Sequence, residues 1–233
     1  MSAYISDADS SSARKSLMVN YPNSIEYSQQ TSHPSVTSSI KRIIDIIGAI
    51  IGIVITAFVA IVILIATKFD DPGSLFYSQT RCGLNEEEFR IWKFRSMVVD
   101  AEKLKHLVKN EATGHIFKST DDPRITPMGK ILRRTSLDEL PQFWNVLRGE
   151  MSLVGTRPPT LDEVKNYQPH HWERLRVKPG ITGEWQANGR STIKDFEQIV
   201  KMDIDYQRKW SPMYDLILIF KTIWVVFTKN GAY

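Results

Sequence analysis

The chain has very little cysteine, since Cys82 is the only one among its 233 residues. A single thiol cannot form an internal disulfide, so we expect the part of the chain that lies in water to occupy a reducing compartment such as the cytosol. No histidine stands close to Cys82 in the sequence. This favours an unreactive cysteine over a catalytic thiol.

The chain also lacks a concentrated charge of one sign, with a formal net charge of +4 and a pI of about 9.1. This balance suits an anionic lipid surface or a phosphorylated substrate. No nucleic-acid partner is expected, because the sequence carries no zinc, helix-turn-helix or RNA-binding signature. His170 and His171 stand in a polar loop without a second pair of ligands, and we interpret them as solvated rather than metal-binding.

What the chain does have is a long apolar run, 22 uncharged residues from 46 to 67, between Lys41-Arg42 and Lys68. At about 1.5 Å per helical residue this run is long enough for a hydrocarbon core of about 30 Å. It begins too late for a signal peptide. The chain is therefore divided into a disordered Ser/Thr-rich tail (1–40), a membrane helix (41–69) and a cytosolic domain (70–233).

Beyond the run, the pattern predicts a mainly helical α+β fold with a small α/β catalytic domain. Two strands are predicted at 75–79 and 89–95, and the second places Lys93 and Arg95 on one face, either as a phosphate clamp or as a solvated surface. Helices are predicted at 98–111, 126–134 and 195–209. The charged, apolar segment 215–229 fits an amphipathic helix in the headgroup zone or a core helix.

The candidate chemistry is concentrated in residues 133–142. Pro141 is tolerated best in the first turn of a helix, so a helix that ends at Gly149 is expected to begin near Asp138. Asp138 and Glu139 then lie at a helix N-terminus, where one can act as a nucleophile and the other as a Mg²⁺ ligand. The alternative is a capping box between Ser136 and Glu139, or Asp138 itself as the cap.

Arginines and glycines near turns support the functional interpretation. The arginines suit bidentate phosphate recognition, and the glycines let a ligand approach the backbone closely. The residues in question are Arg133, Arg134, Arg157, Arg190, Gly155, Gly180, Gly183 and Gly189.

Several ordered segments together resemble the bacterial sugar transferases, the monotopic polyprenyl-phosphate hexose-1-phosphate transferases. The resemblance covers the chain from about residue 41 to its C-terminus. Its segments are Lys41-Arg42 with Asp45, 71–73 (DPG), 79–83 (QTRCG), 93–97 (KFRSM), 122–124 (DPR), 136–142 (SLDELPQ), 151–158 (MSLVGTRP), 178–183 (KPGITG) and 188–190 (NGR).

The resemblance implies a two-step reaction at the membrane. Asp138 would attack the β-phosphate of a UDP-sugar and expel UMP, and the phospho-aspartyl intermediate would pass to polyprenyl (undecaprenyl) phosphate. Glu139 would bind Mg²⁺, the only cofactor implied. Phosphate or nucleotide binding is expected at Lys93, Arg95, Arg133, Arg157, Arg190 and Asp215. The implied location is the bacterial inner membrane, with the catalytic domain on the cytoplasmic side.

The chain departs from the family pattern within the membrane helix, where Thr56-Ala57 replaces a helix-kinking Ser-Pro. Thr56 can bend a helix only weakly, so the helix either crosses the bilayer or re-enters the cytoplasmic face. Lys41-Arg42 and Asp45 favour re-entry. Gly48 and Gly52 have a spacing that can pack two helices, so a homodimer is among the expectations. The alternative function is an inactive membrane-anchored binding or scaffold protein of the same fold.

Overall fold

The computed structural model describes residues 32–228 except 71–72, 115–116, 118, 120, 190–192 and 194. Within these residues the fold is mainly helical. The helices are α1 (Pro34–Thr37), α2 (Ser39–Asp70), α3 (Pro127–Arg134), α4 (Gln142–Arg148), α5 (Leu161–Val164), α6 (Glu184–Gly189), α7 (Phe196–Lys209) and α8 (Pro212–Thr228). The strands are β1 (Phe76–Cys82), β2 (Glu88–Phe94), β3 (Ser152–Val154) and β4 (Gly180–Thr182), and 3₁₀ helices cover Leu84–Glu86, Ala101–Leu107, Leu137–Glu139 and Pro169–Arg176.

Helix α2 contains the apolar run, and it is the one described helix that is long and apolar enough to cross a membrane. It is continuous over 32 residues. One side packs on α4 and β3, where Gly48 lies against Leu153 and Gly52 against Phe143 so closely that a Cβ on either glycine would overlap its neighbour. These glycines are therefore covered within the chain, and their spacing gives no support to a homodimer.

Two small sheets hold the domain together. The two predicted strands form as β1 and β2, which pair in antiparallel fashion with Phe76 opposite Phe94 and Cys82 opposite Glu88. Strands β3 and β4 are parallel, with Ser152 opposite Gly180. Leu153, Val154 and the side chains of α4 and α7 bury the main core between these sheets and α2.

Capping residues, a first-turn proline and a terminal glycine in the sequence predicted several helix ends correctly. Thr126 caps α3 by accepting a hydrogen bond from the Gly129 N–H, with Pro127 in the first turn, and Gly149 ends α4 with a positive φ of 84°. Both features were expected from sequence. Asp195 caps α7 in the same way, accepting from the Glu197 N–H.

The prediction of a helix over 98–111 was wrong. Only the 3₁₀ helix Ala101–Leu107 forms there, after Asp100 with a φ of 60°. This helix buries none of its residues, and Leu107 is 68% exposed. The apolar stripe therefore finds no core to pack on, and without such packing a short helix has little stability.

The two faces of α8 differ: one face joins the core, as the core-helix interpretation expects, and the other is exposed. Leu218 is buried in the core, whereas Phe220 and Trp224 are 69% and 71% exposed. Asp215 is also buried, where it accepts hydrogen bonds from Lys41, Tyr206 and Trp210. The helix thus joins the core on one side and presents an aromatic surface on the other.

Candidate active site

Asp138 and Glu139 lie in the 3₁₀ helix Leu137–Glu139, directly before α4. The capping alternative is contradicted here, because the Ser136 side chain makes no capping hydrogen bond and Ser136 adopts a φ of 57°. No side chain caps α4 either, since its N-cap position is occupied by Pro141. Asp138 is buried at 6% exposure, and Glu139 faces a cleft. The carboxylate pair therefore does not serve as a helix cap.

The cleft opens to solvent, and its empty space, together with the solvent at its mouth, measures about 470 Å³. The lining residues come from both sheets, from the 3₁₀ helix Leu137–Glu139 (called the carboxylate turn below), from the start of α4, from the loop after β3 and from α6. They are Arg81, Ile91, Lys93, Glu139, Gln142, Arg157, Pro158, Gly180, Ile181, Trp185 and Gln186. The cleft thus combines one carboxylate with three cations.

Lys93 and Glu139 form an ion pair in the cleft, with 3.0 Å between Lys93 Nζ and Glu139 Oε1. Their side chains are 25% and 19% exposed, so the pair is partly shielded from water. Carboxylate oxygens are what Mg²⁺ prefers, and this ion is usually held by one or two carboxylates plus substrate phosphates. The Glu139 carboxylate fits such an ion, and Lys93 supplies a positive charge beside it.

Arg157 and Arg81 supply further positive charge to the cleft. Arg157 Nη1 lies 3.2 Å from Glu163 Oε2, and its guanidinium lies 6.0 Å from the Trp185 ring centroid. Arg81 donates to the carbonyl of Pro158 and to Gln79 Oε1. Burial and the neighbouring Arg157 lower the pKa of Arg81 to about 10, so it remains a cation at neutral pH.

Glu163 is the carboxylate that balances these two arginines. Burial raises its pKa, but the charges of Arg157 and Arg81 outweigh this effect and hold the pKa below its usual value. Two cations against one anion leave a net positive charge on this side of the cleft. Such a surface is suited to an anionic group with more than one phosphate.

Comparison with known proteins identifies the family. A family model described as bacterial sugar transferase matches residues 36–229. The chain belongs to the bacterial sugar transferase family. It is 53% identical over 194 residues to a protein named galactosyl transferase CpsE from Streptococcus agalactiae, covering 82% of this chain and 43% of that protein.

Two further relatives of this sugar transferase differ in length. The exopolysaccharide production protein ExoY of Sinorhizobium fredii is 38% identical over 199 residues, covering 83% of this chain and 88% of ExoY. A protein of Escherichia coli named UDP-glucose:undecaprenyl-phosphate glucose-1-phosphate transferase is 39% identical over 202 residues, covering 83% and 41%. The chain thus spans less than half the length of CpsE and of the Escherichia coli protein.

The structure brings only some of the predicted binding residues to the cleft. Lys93, Glu139 and Arg157 line it, and Asp138 directly precedes Glu139. Arg190 lies outside the described residues. The other predicted residues, Arg95, Arg133 and Asp215, do not line the cleft.

Each of the residues away from the cleft has a hydrogen-bond partner. Arg95 Nε donates to the carbonyl of Ser74, and Arg133 Nε donates to Ser96 Oγ. Asp215 accepts from Lys41 and two other donors in the interior, as described above. Lys93 and Arg95 therefore do not form one clamp, because Lys93 pairs with Glu139 whereas the Arg95 side chain donates to the Ser74 carbonyl.

The predicted role of the glycines also needs correction. A Cβ on Gly155 would lie 2.1 Å from the Lys178 carbonyl oxygen, and one on Gly183 would lie 2.0 Å from the Gly155 carbonyl oxygen. The close approach that these residues permit is therefore between β3, β4 and the turn after β4. Of these glycines, Gly180 lines the cleft.

Sequence reasoning missed four polar or aromatic residues that line the cleft: Arg81, Gln142, Trp185 and Gln186. Arg81 and Gln142 stand inside segments that carry the family resemblance, and this was the available signal. Trp185 and Gln186 directly follow the segment 178–183. Their place in the cleft depends on how α6 packs, which spacing does not reveal.

His170 and His171 do gain a neighbouring acid, Glu197, which each contacts through Nε2. The three groups are close enough to hold a metal ion. However, His171 Nδ1 accepts the Gln168 backbone N–H, so Nε2 of the neutral ring carries the proton that Glu197 accepts. A metal would have to displace that proton, and we interpret the group as a hydrogen-bonded triad.

Proposed function

We propose that this protein transfers a hexose-1-phosphate from a UDP-sugar to polyprenyl phosphate and releases UMP. The observation that carries the proposal is the Asp138-Glu139 pair beside a cleft lined by Lys93, Arg81 and Arg157. Cations suit a diphosphate, and Asp138, the neighbour of the cleft residue Glu139, can supply a nucleophilic carboxylate. The names of the relatives, which include a transferase from UDP-glucose to undecaprenyl phosphate, support the same substrate classes.

In the first step, a carboxylate oxygen of Asp138 attacks the β-phosphorus of the UDP-sugar. The bond from that phosphorus to the bridging oxygen breaks, and UMP leaves with the electron pair. In the second step, a phosphate oxygen of the polyprenyl phosphate attacks the same phosphorus and displaces Asp138. The sugar phosphate then lies on the lipid as a diphosphate, and the carboxylate is regenerated.

The cations of the cleft orient the diphosphate and stabilise the charge that develops on departing UMP. Arg81 and Arg157 lie together on one side, whereas Lys93 lies beside Glu139. Glu139 would hold Mg²⁺, which supplies further positive charge to the phosphates when it is bound. Lys93 keeps the Glu139 carboxylate directed into the cleft.

The exposed apolar surfaces support a membrane location for this chemistry. Helix α2 exposes Phe58 and Val62, and α8 exposes Phe220 and Trp224. We propose that α2 is re-entrant and that the cleft lies on the cytoplasmic side of the inner membrane, where lipid phosphate and UDP-sugar meet. Thr56 supports this arrangement, because its Oγ1 lies 2.7 Å from the Gly52 carbonyl oxygen and 3.1 Å from that of Leu140.

The test is a screen of UDP-sugars with polyprenyl phosphate and Mg²⁺ that measures UMP. We expect UMP from at least one UDP-hexose with wild-type protein and none with Asp138→Asn. The inactive scaffold alternative predicts no UMP from any donor with either protein. A wild-type protein that binds a UDP-sugar but never releases UMP would contradict the proposal.

A further inference from the structure

Three residues that line the cleft each have a buried side-chain atom with no hydrogen-bond partner among the residues that the structure describes. These atoms are Arg81 Nε, Trp185 Nε1 and Gln186 Oε1. Folded proteins pair nearly all such atoms, because an unpaired one has lost its bonds to water without replacement. Because all three residues line one cleft, a group bound there is the nearest candidate partner for these atoms.

Two of these atoms do not match a phosphate alone. Trp185 and Gln186 are neutral, each is 9% exposed, and they offer an N–H donor and a carbonyl acceptor. Phosphate oxygens of a diphosphate accept hydrogen bonds but have no proton to give to the Gln186 oxygen at neutral pH. The matching group must accept from Trp185 and donate to Gln186. A hydroxyl does both, and it satisfies the Gln186 amide in either orientation.

The helix that carries both residues is held firmly at each end. The Tyr214 hydroxyl donates to the Glu184 carboxylate at the start of α6, and Lys221 Nζ donates to Asn188 Oδ1 near its end. Trp185 also packs in a cluster with Phe196 and Ile199. The two polar atoms are therefore positioned before any ligand binds, which is how selective sites avoid the cost of ordering.

We propose that Trp185 and Gln186 form a neutral hydrogen-bonding subsite for the non-phosphate part of the donor, an inference that rests on the proposed function. Two parts of a UDP-sugar present a donor and an acceptor side by side: the hydroxyls of the hexose and the imide edge of uracil. Arg81 and Arg157 bind the phosphates next to this subsite. Recognition of the donor is thus divided between a cationic part and a neutral part of one cleft.

The variants for the test are Gln186→Leu and Trp185→Phe, which keep the approximate volume and remove the polar atom. KM and kcat are measured for the UDP-sugar that the wild type uses, and inhibition constants are measured for UMP and for inorganic pyrophosphate. We expect each variant to raise KM by about fivefold or more, with kcat within about twofold and pyrophosphate inhibition unchanged. Trp172→Phe and Gln207→Leu make the same changes away from the cleft and should leave KM unchanged.

The UMP measurement separates the two sources of the bound group. Weaker inhibition by UMP in both variants assigns the subsite to uracil, whereas unchanged inhibition by UMP with a raised KM assigns it to the hexose. An unchanged KM in both variants, or an equal weakening of pyrophosphate binding, overturns the proposal. If Gln186→Leu does not fold, Gln186→Met replaces it, and Trp185→Phe remains an independent test.

Failure of the proposed function can be distinguished from failure of the subsite by measuring UMP release and UDP-sugar binding separately. A wild-type protein that releases no UMP from any UDP-sugar contradicts the transfer reaction itself. Calorimetric binding of UDP-sugars to the same wild-type and variant proteins still tests the subsite in that case. Equal affinity of wild type and variants for a UDP-sugar would then overturn the subsite without reference to catalysis.

Discussion

Lys41 Nζ lies 2.6 Å from Asp215 Oδ2, an ion pair that joins the first turn of α2 to the first turn of α8 across 174 positions of sequence. The two side chains are only 6% and 2% exposed. Tyr206 and Trp210 donate to the same carboxylate. The two helices that expose apolar surfaces are thus fixed to each other by one buried polar group.

We predict that Lys41→Met or Asp215→Asn alone lowers the free energy of unfolding by about 3–5 kcal/mol, because each leaves a buried charged partner without its counter-ion. The thermal unfolding midpoint in detergent measures this loss. Lys103→Met removes the exposed pair with Asp100, 3.2 Å apart, and should leave the midpoint unchanged. A midpoint for Asp215→Asn equal to that of wild type, with a raised KM for the UDP-sugar, would instead favour the predicted binding role of Asp215.

The second prediction concerns the path of α2 through the membrane. If the helix is re-entrant, Ser32→Cys and Ser74→Cys at its two ends should both react with a membrane-impermeant maleimide from the cytoplasmic side. Labelling from opposite sides would show a crossing helix, and would mean that Thr56 does not replace the missing proline.

Cys82 serves as the internal control for that experiment. It is buried, and this burial raises its pKa to about 12, so hardly any thiolate exists at neutral pH. We expect the wild-type protein to remain unlabelled in membranes and to react only after denaturation. Labelling of native wild-type protein would invalidate the use of single engineered cysteines.

Caps and hydrophobic patterns made much of the fold predictable. The Thr126 cap, the Gly149 stop and the hairpin strands all follow from local chemistry, and the structure confirms them. The failure at 98–111 is also physical, because its apolar stripe has no partner surface. A helical pattern of apolar residues shows that a segment can form an amphipathic helix, but whether the helix forms depends on a surface for it to pack on.

The site was less predictable, because position near a turn does not say which way an arginine points. Arg157 and Arg133 both stand beside turns, yet Arg157 lies in the cleft and Arg133 binds Ser96. Arg81 lies within β1, and only its position in the resemblance segment 79–83 distinguishes it from other strand residues in the sequence. Only the packing of β1 against the 157–160 segment brings it to Arg157.

A covalent intermediate on Asp138 predicts a burst. Wild-type protein mixed with UDP-sugar and Mg²⁺ but no lipid should release close to one UMP per active site and then stop, because the acceptor is absent. Asp138→Asn should release at least about a thousandfold less UMP while remaining folded. Rapid-quench measurement of UMP and detection of sugar phosphate on the protein report the two results. UMP release only in the presence of polyprenyl phosphate would exclude the two-step scheme.

The role of Glu139 is tested by measuring how the activity depends on the Mg²⁺ concentration. We expect Glu139→Gln to lower kcat by about a hundredfold and to raise the Mg²⁺ concentration for half-maximal activity, since an amide oxygen is a weaker ligand than a carboxylate. Glu102→Gln, a change to an exposed acid in the 3₁₀ helix Ala101–Leu107, is the matched control and should behave as wild type. An unchanged Mg²⁺ requirement in Glu139→Gln would remove Glu139 from the metal site.

The last prediction links the membrane helix to the carboxylate turn. The Thr56 hydroxyl lies 3.1 Å from the carbonyl oxygen of Leu140, the residue that follows Glu139, so α2 contacts the turn that presents both acids. Thr56→Val keeps the shape of the side chain but removes this hydrogen bond. We expect kcat to fall by about threefold to tenfold with KM unchanged, and Thr56→Ser to restore it, because a misplaced nucleophile slows chemistry more than binding.

The control for this variant is Thr135→Val. Thr135 makes the same type of bond to a helix carbonyl four residues back, that of Ile131, but on an exposed surface. The Thr135→Val variant should leave kcat unchanged. The effect of Thr56→Val would then come from the lost contact with Leu140 rather than from the loss of a hydrogen bond to the preceding helical turn. Equal losses in both valine variants, or no rescue by Thr56→Ser, would show that Thr56 does not position the carboxylate turn.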